Sequence, residues 1–257
     1  MEMLSGPDAA ILWVFALGVT MMAGVIKGVV GFAMPMVMIS GLGSIMAPDL
    51  ALAALIVPTL VTNLWQALRQ GPAAAWRSMK RFRVFLICGG VMMLSAAQLV
   101  PVLPAYALYL VIGVPVTIYA ALSLAGRAIE LPPNPSTRME AGIGATTGVL
   151  GGLSGVWGPT TVAMLTAQGT EKREQMRVQG VIYGLGAVML MIGHLGSGVL
   201  RLQTLPLSLA MVPPALLGIW CGFAVQDRID QRVFRKITLI VLLVGGANLL
   251  RRGIVAM

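Results

Sequence analysis

Long apolar runs separated by short polar connections dominate the chain. Runs at 11–32, 50–68, 84–100, 106–124, 178–200, 205–224 and 233–250 are each long enough, or nearly so, to cross a hydrocarbon core of about 30 Å as a helix. The pattern predicts seven spans. Two regions interrupt it: glycine-rich sequence runs into Pro35 and again into Pro159, and each proline precedes a short apolar piece, 36–47 and 160–167. Proline suits the first turn of a helix but not its interior, so both pieces read as half-helices that start at a break.

The two breaks resemble each other. The segment from Gly24 to Pro35 aligns without gaps on Gly148 to Pro159 at an offset of 124, with Gly24, Val25, Gly28, Gly31 and Pro35 falling on Gly148, Val149, Gly152, Gly155 and Pro159. A weaker match at an offset of 128 pairs Gly90 with Gly218, Gln98 with Gln226 and Tyr106 with Phe234. The chain therefore divides into a first repeat over 1–128, a linker over 129–138 and a second repeat over 139–257.

Charge gives the repeats a direction. The connection 69–83 holds Arg69, Arg77, Lys80, Arg81 and Arg83, while the next, 100–105, holds no basic residue. In the second half the order swaps: the counterpart of the first connection carries only Arg201, and 226–236 carries Arg228, Arg232, Arg235 and Lys236. Under the positive-inside rule, equivalent loops with opposite bias lie on opposite sides of the membrane. The expected fold is thus an all-α transmembrane bundle of two inverted-topology repeats with Gly/Pro-broken or re-entrant helices. Its N-terminus lies outside; the loops 69–83, 127–138, 171–177 and 228–236 lie inside. Arg251 and Arg252 fall outside in this arrangement and are its one exception.

Composition narrows the function. Of 257 residues, 58% are hydrophobic and 11% charged, against roughly a quarter charged in a soluble domain. Mean hydropathy is +0.89. The net charge of +9 comes mainly from the connections, where it orients the chain rather than binding nucleic acid. Residues 1–10 hold Glu2 and Asp8 and no basic residue, so the first run is expected to stay in the membrane. Cys88 and Cys221 lie inside apolar runs and offer neither a disulfide framework nor a metal spacing. No catalytic residue, metal site or cofactor is expected: no HExxH helix or GxSxG elbow lies within a span.

The candidate site sits at the breaks. Glycines at 24, 28 and 31 and at 148, 152 and 155 recur at helical spacing, which suits close helix packing. The prolines add something else, since irregular backbone at membrane depth normally lines a protein-walled cavity. Two half-helix N-termini would present positive dipole ends to an anion. Near them, Ser154, Thr160 and Thr161 can donate hydroxyl hydrogen bonds and Trp157 an indole N–H, while Asn63, Gln66, Gln179 and Tyr183 are polar candidates on flanking spans. Lys27 is the most informative residue. A charge inside a span costs about 2.5 to 3.5 kcal/mol even on the lenient insertion scale, and every Asp and Glu falls at a terminus or in a connection. A bound anion would balance it; snorkelling to the interface is the alternative. The substrate-site candidates are accordingly Lys27, Gly28, Gly31, Pro35, Asn63, Ser154, Trp157, Pro159, Thr160, Thr161, Gln179 and Tyr183. For Gln66 a place at the interface is the alternative reading, and His194 reads as a residue of the interface.

With Gly24, Gly28, Gly31 and Pro35 in one copy and Gly148, Gly151, Gly152, Ser154, Gly155, Gly158 and Pro159 in the other, the chain resembles the TauE/SafE family of sulfite or organosulfonate exporters over nearly its whole length. It departs from the family pattern at Phe32-Ala33-Met34 and at 176–180. The resemblance implies transport of sulfite, thiosulfate or a small sulfonate across a bacterial inner membrane. The expected partners are that anion and the lipid bilayer, with no nucleic acid; the oligomeric state is left open, a homodimer being admissible. The rival readings are a carrier or channel for another small anion or a neutral metabolite, and a non-transporting membrane scaffold.

Overall fold

The computed structural model describes residues 9–97, 104–127, 131–132, 135–154, 158–196, 199–255 and 257. Among these the regular structure is helical throughout: α1 (Ala9–Val30), α2 (Met34–Leu42), α3 (Pro48–Leu68), α4 (Pro72–Arg81), α5 (Arg83–Ala97), α6 (Ala105–Leu124), α7 (Thr137–Ser154), α8 (Gly158–Ala167), α9 (Lys172–Gly196), α10 (Leu205–Ala210), α11 (Val212–Arg228) and α12 (Gln231–Val255). Among the described residues all seven expected spans fall mainly on helices, residues 98–100 and 197–198 of two of them lying outside the described residues. Five stretches meet both the length and the apolarity needed to cross a bilayer: Ala9–Val30, Asp49–Leu68, Lys172–Ile192, Leu205–Arg228 and Gln231–Val255. Near the other two expected spans the qualifying apolar stretches, Arg83–Ala96 and Gly113–Leu124, are shorter.

Three local details differ from the reading of the sequence. The span expected over 205–224 has a step at Met211, where α10 ends and Pro213 and Pro214 open α11, because neither proline can continue the preceding helix. The half-helix expected over 36–47 is helical over Met34–Leu42. The basic connection 69–83 holds a further helix, α4, with Pro72 in its first turn. Its Ala74, Ala75 and Ser78 are buried while Trp76 is exposed, a one-sided pattern.

The helix bounds repeat. Shifted by 124, α1, α2 and α3 fall on 133–154, 158–166 and 172–192, close to α7, α8 and α9; shifted by 128, α4, α5 and α6 fall on 200–209, 211–225 and 233–252, close to α10, α11 and α12.

Two compact units make up the chain. Unit 1 comprises Met1–Arg69 and Gly180–Ile229; unit 2 comprises Gln70–Gln179 and Asp230–Met257. Unit 1 packs α1 against α11 and seats α2 against α1 and α3, around a core that includes Ala16, Met34, Met38, Leu55, Met211 and Ala215. The α1–α11 crossing is backbone on backbone: a Cβ on Gly24 would lie 2.6 Å from the Ala215 carbonyl oxygen, and one on Gly28 would lie 2.5 Å from that of Ile219. Glycine on both helices is what lets them approach so closely. Unit 2 pairs α5 with α7 and α6 with α12, and Gly148 meets Gly89 in the same manner.

The outward faces are apolar. In unit 1 Ile11 and Val14 are each 71% exposed and Trp220 is 61% exposed, while Lys27, Asn63 and Gln66 are buried. Apolar surface outside with polar groups inside is the arrangement that lipid selects.

Candidate functional site

Unit 1 builds its polar centre at the break between α1 and α2. Only residues 31–33 separate the helices. Gly31 turns the chain with φ +88°, and Ala33 follows at φ +74°, the one non-glycine with positive φ among the described residues. An alanine there carries roughly 1 to 2 kcal/mol of strain, which the surrounding packing must offset. The Gly31 N–H closes α1 on the Lys27 carbonyl at 2.6 Å, and the Ala33 carbonyl accepts the Val37 N–H at 3.0 Å to start α2. Pro35 stands in the first turn of α2, and Ala33 provides no side-chain cap. The Met34 and Met36 N–H groups therefore lack intrahelical partners and leave the positive end of the helix dipole at the break.

A polar stripe on α3 faces this break. Thr59, Thr62, Asn63 and Gln66 are spaced i, i+3, i+4 and i+7, and all four are buried. Gln66 Nε2 donates to the Gly31 carbonyl at 3.0 Å, which ties the stripe to the break itself. One turn earlier, Thr62 Oγ1 donates to the Pro58 carbonyl at 2.7 Å and lies 3.5 Å from Met34 Sδ. Thr59 Oγ1 is buried and has no hydrogen-bond partner among the described residues.

Lys27 completes the centre. Its side chain is 2% exposed, so it does not snorkel. Its Nζ donates to Asn63 Oδ1. Asn63 Nδ2 in turn donates to the Tyr183 carbonyl of α9 at 3.1 Å, which fixes the amide orientation and aims the oxygen at the lysine. No described carboxylate forms an ion pair with Lys27; Asp227 pairs with Arg69 and Glu174 with Arg177. The ammonium thus meets a neutral dipole where a buried cation ordinarily has a full counter-charge.

Pro58 inside α3 shows how this unit treats backbone groups freed at depth. Lacking an N–H, Pro58 leaves the Ala54 carbonyl without its helical donor. The fully buried Ser208 hydroxyl of α10 donates to that carbonyl at 3.4 Å and accepts the Val57 N–H at 3.2 Å. A neighbouring side chain satisfies what the helix cannot.

The sequence-derived candidates divide between the units. Unit 1 holds Lys27, Gly28, Gly31, Pro35, Asn63 and Tyr183, and joins Lys27, Asn63 and the Tyr183 backbone in one hydrogen-bonded chain. Gly28 is spent on the α11 contact. Unit 2 holds Pro159, Thr160, Thr161 and Gln179. There α8 starts at Gly158 with Pro159 second, Thr161 is fully buried, and its Oγ1 has no partner among the described residues. Gln179 is also fully buried. Ser154 ends α7, but its side chain lies outside the described residues, as do Trp157 and the side chain of His194.

Sequence reasoning passed over Thr59 and Thr62 and left Gln66 between a polar candidate and a residue of the interface. The i, i+3, i+4, i+7 spacing of four polar residues inside an apolar run was the available signal. Their burial is the structural fact that decides it.

A model of the family described as "Sulfite exporter TauE/SafE" matches residues 16–249. The chain belongs to this family. The match runs from α1 into α12 and includes every candidate residue above. TauE/SafE membership and the apolar helices make the chain a multi-pass membrane protein of a transporter family. Comparison with curated proteins and with solved structures gave no match.

Proposed function

We propose that this protein is a secondary carrier that moves a small sulfur-containing anion, such as sulfite, thiosulfate or an organosulfonate, outward across a bacterial inner membrane by alternating access. The observation that carries the reading is Lys27: a buried cation in a span, hydrogen-bonded to a carboxamide rather than paired with a carboxylate. An arriving anion supplies the missing counter-charge. The uncapped N-terminus of α2 adds backbone donors and a favourable dipole, and the Thr59 hydroxyl has a free donor for an oxyanion oxygen.

Family membership supports the sulfur chemistry. The membrane potential supports outward movement: with the cytoplasm negative, each exported negative charge gains about 2.3 kcal/mol per 100 mV, enough to drive efflux without a coupled proton or sodium ion. The inverted-repeat architecture is supported by the recurring helix bounds and by the crossed pairing of α1 with α11 and α7 with α5, in which each broken helix packs on a helix of the other repeat. The swapped loop charges support the orientation with the N-terminus outside and 69–83 inside.

Thermal stabilisation in detergent by sulfite, thiosulfate, sulfoacetate, aromatic sulfonates, sulfate and lactate tests the reading. A true substrate raises stability by RT ln(1 + [L]/Kd), about 2.7 kcal/mol at a hundredfold excess over Kd. Stabilisation by at least one of the sulfur oxyanions and not by lactate is expected; no shift with any sulfur anion contradicts it.

A further inference from the structure

The charge count at the break bears on which protonation state of the substrate is carried. Among the described residues Lys27 is the only Lys, Arg, Asp or Glu that is buried. Among the described residues the elements packed around it add no second buried charge: α9, which meets Asn63, brings the buried Tyr183 phenol, and its Lys172, Arg173, Glu174 and Arg177 are not buried. α2 has no titratable side chain, and the Asp49 of α3 is exposed in its first turn. On α11, Asp227 is exposed and paired with Arg69, and Arg228 is exposed. Asn63, Thr59, Thr62 and Gln66 contribute dipoles only. The site therefore has one unit of positive charge to balance.

Resting on the anion-carrier reading above, we infer that the site selects monoanions: organosulfonates of the form R–SO3⁻ and hydrogen sulfite, rather than the dianions sulfate, thiosulfate and sulfite. A monoanion beside Lys27 forms a net-neutral pair. A dianion leaves one uncompensated negative charge at membrane depth, a penalty that corresponds to a preference on the order of a hundredfold for the monoanion. Three sulfonate oxygens also match the donors available: the Lys27 ammonium, the Thr59 hydroxyl and the first-turn N–H groups of α2.

Uptake into proteoliposomes by the full chain tests this, with methanesulfonate, sulfate, thiosulfate and sulfite at equal total concentration, in the wild type and in Lys27→Gln and Lys27→Arg, both checked for folding by gel filtration. Methanesulfonate is a monoanion on both sides of neutral pH, whereas hydrogen sulfite loses its proton near neutrality. The ratio of sulfite flux to methanesulfonate flux should fall as pH rises through neutral, which cancels any titration of the protein itself. Sulfate and thiosulfate should be carried on the order of a hundredfold more slowly than methanesulfonate, and Lys27→Arg should keep that order. Dianions carried as fast as methanesulfonate in a Lys27-dependent way, or a flux ratio constant with pH, overturn the charge selectivity and leave the anion site standing. Wild-type rates in folded Lys27→Gln, or no flux of any monoanion, overturn both.

Discussion

Asn63 presents its carboxamide oxygen to the Lys27 ammonium while its own NH2 group is held by the Tyr183 carbonyl. That pairing keeps a cation buried beside a neutral dipole, which on the proposed reading holds the site ready for a negative ligand. A carboxylate at the same position would satisfy the lysine permanently.

Asn63→Asp is accordingly expected to fold and to be at least as heat-stable as the wild type, because it replaces a dipole by a counter-charge, yet to lose anion-dependent stabilisation and transport. Asn63→Leu should instead lower stability by about 1 to 3 kcal/mol by leaving the buried ammonium without its carboxamide acceptor. Differential scanning fluorimetry with and without sulfonate separates the two outcomes.

Ala33 holds a left-handed conformation that glycine adopts freely. Ala33→Gly should raise thermal stability by up to about 1 kcal/mol, and Gly31→Val, placing a β-branched residue at φ +88°, should lower it by more than that. Opposite signs at two positions two residues apart would show that the break, rather than local packing, sets the effect.

The α1–α11 crossing leaves no room for side chains. Gly28→Leu should destabilise by at least 1 to 3 kcal/mol, since even its Cβ would meet the Ile219 carbonyl at 2.5 Å. Gly18→Ala on the same helix, where nothing lies within 4 Å of an added Cβ, should be neutral or slightly stabilising. Melting temperatures of the two variants in one detergent decide the matter.

Ser208→Ala should destabilise unit 1 by about 1 to 3 kcal/mol, because the Ala54 carbonyl and the Val57 N–H then lose a buried partner beside Pro58. Restoring the backbone bond with Pro58→Ala in the same chain should recover most of that loss. A double-mutant cycle on thermal unfolding measures the coupling.

Much of this was legible in the sequence. The seven apolar runs, the breaks at Pro35 and Pro159 and the isolation of Lys27 from every carboxylate all followed from pattern and charge. The glycine stripe predicted close packing, and Gly24 and Gly28 pack on α11 as that spacing implies. What sequence did not reveal was partnership. That Lys27 meets Asn63, that Gln66 turns inward to the Gly31 carbonyl, and that Ser208 reaches back to the Pro58 kink are contacts across 35 to 154 residues of chain. Hydropathy cannot register them, because a polar residue facing an interface and one facing a buried break look alike along the chain. The helix α4 was hidden for a similar reason: its basic residues dominate a composition reading, and its buried Ala74, Ala75 and Ser78 emerge only at helical period.

The central claim is that the buried Lys27 cation binds the transported anion. Flux of a labelled sulfonate into proteoliposomes holding folded Lys27→Gln, beside wild type and Lys27→Arg, tests it most directly. Lys27→Gln is expected to lose anion binding and flux by tenfold or more while Lys27→Arg keeps a measurable part of both, in line with an uncompensated charge worth about 2.5 to 3.5 kcal/mol. Wild-type flux and affinity in Lys27→Gln would contradict it.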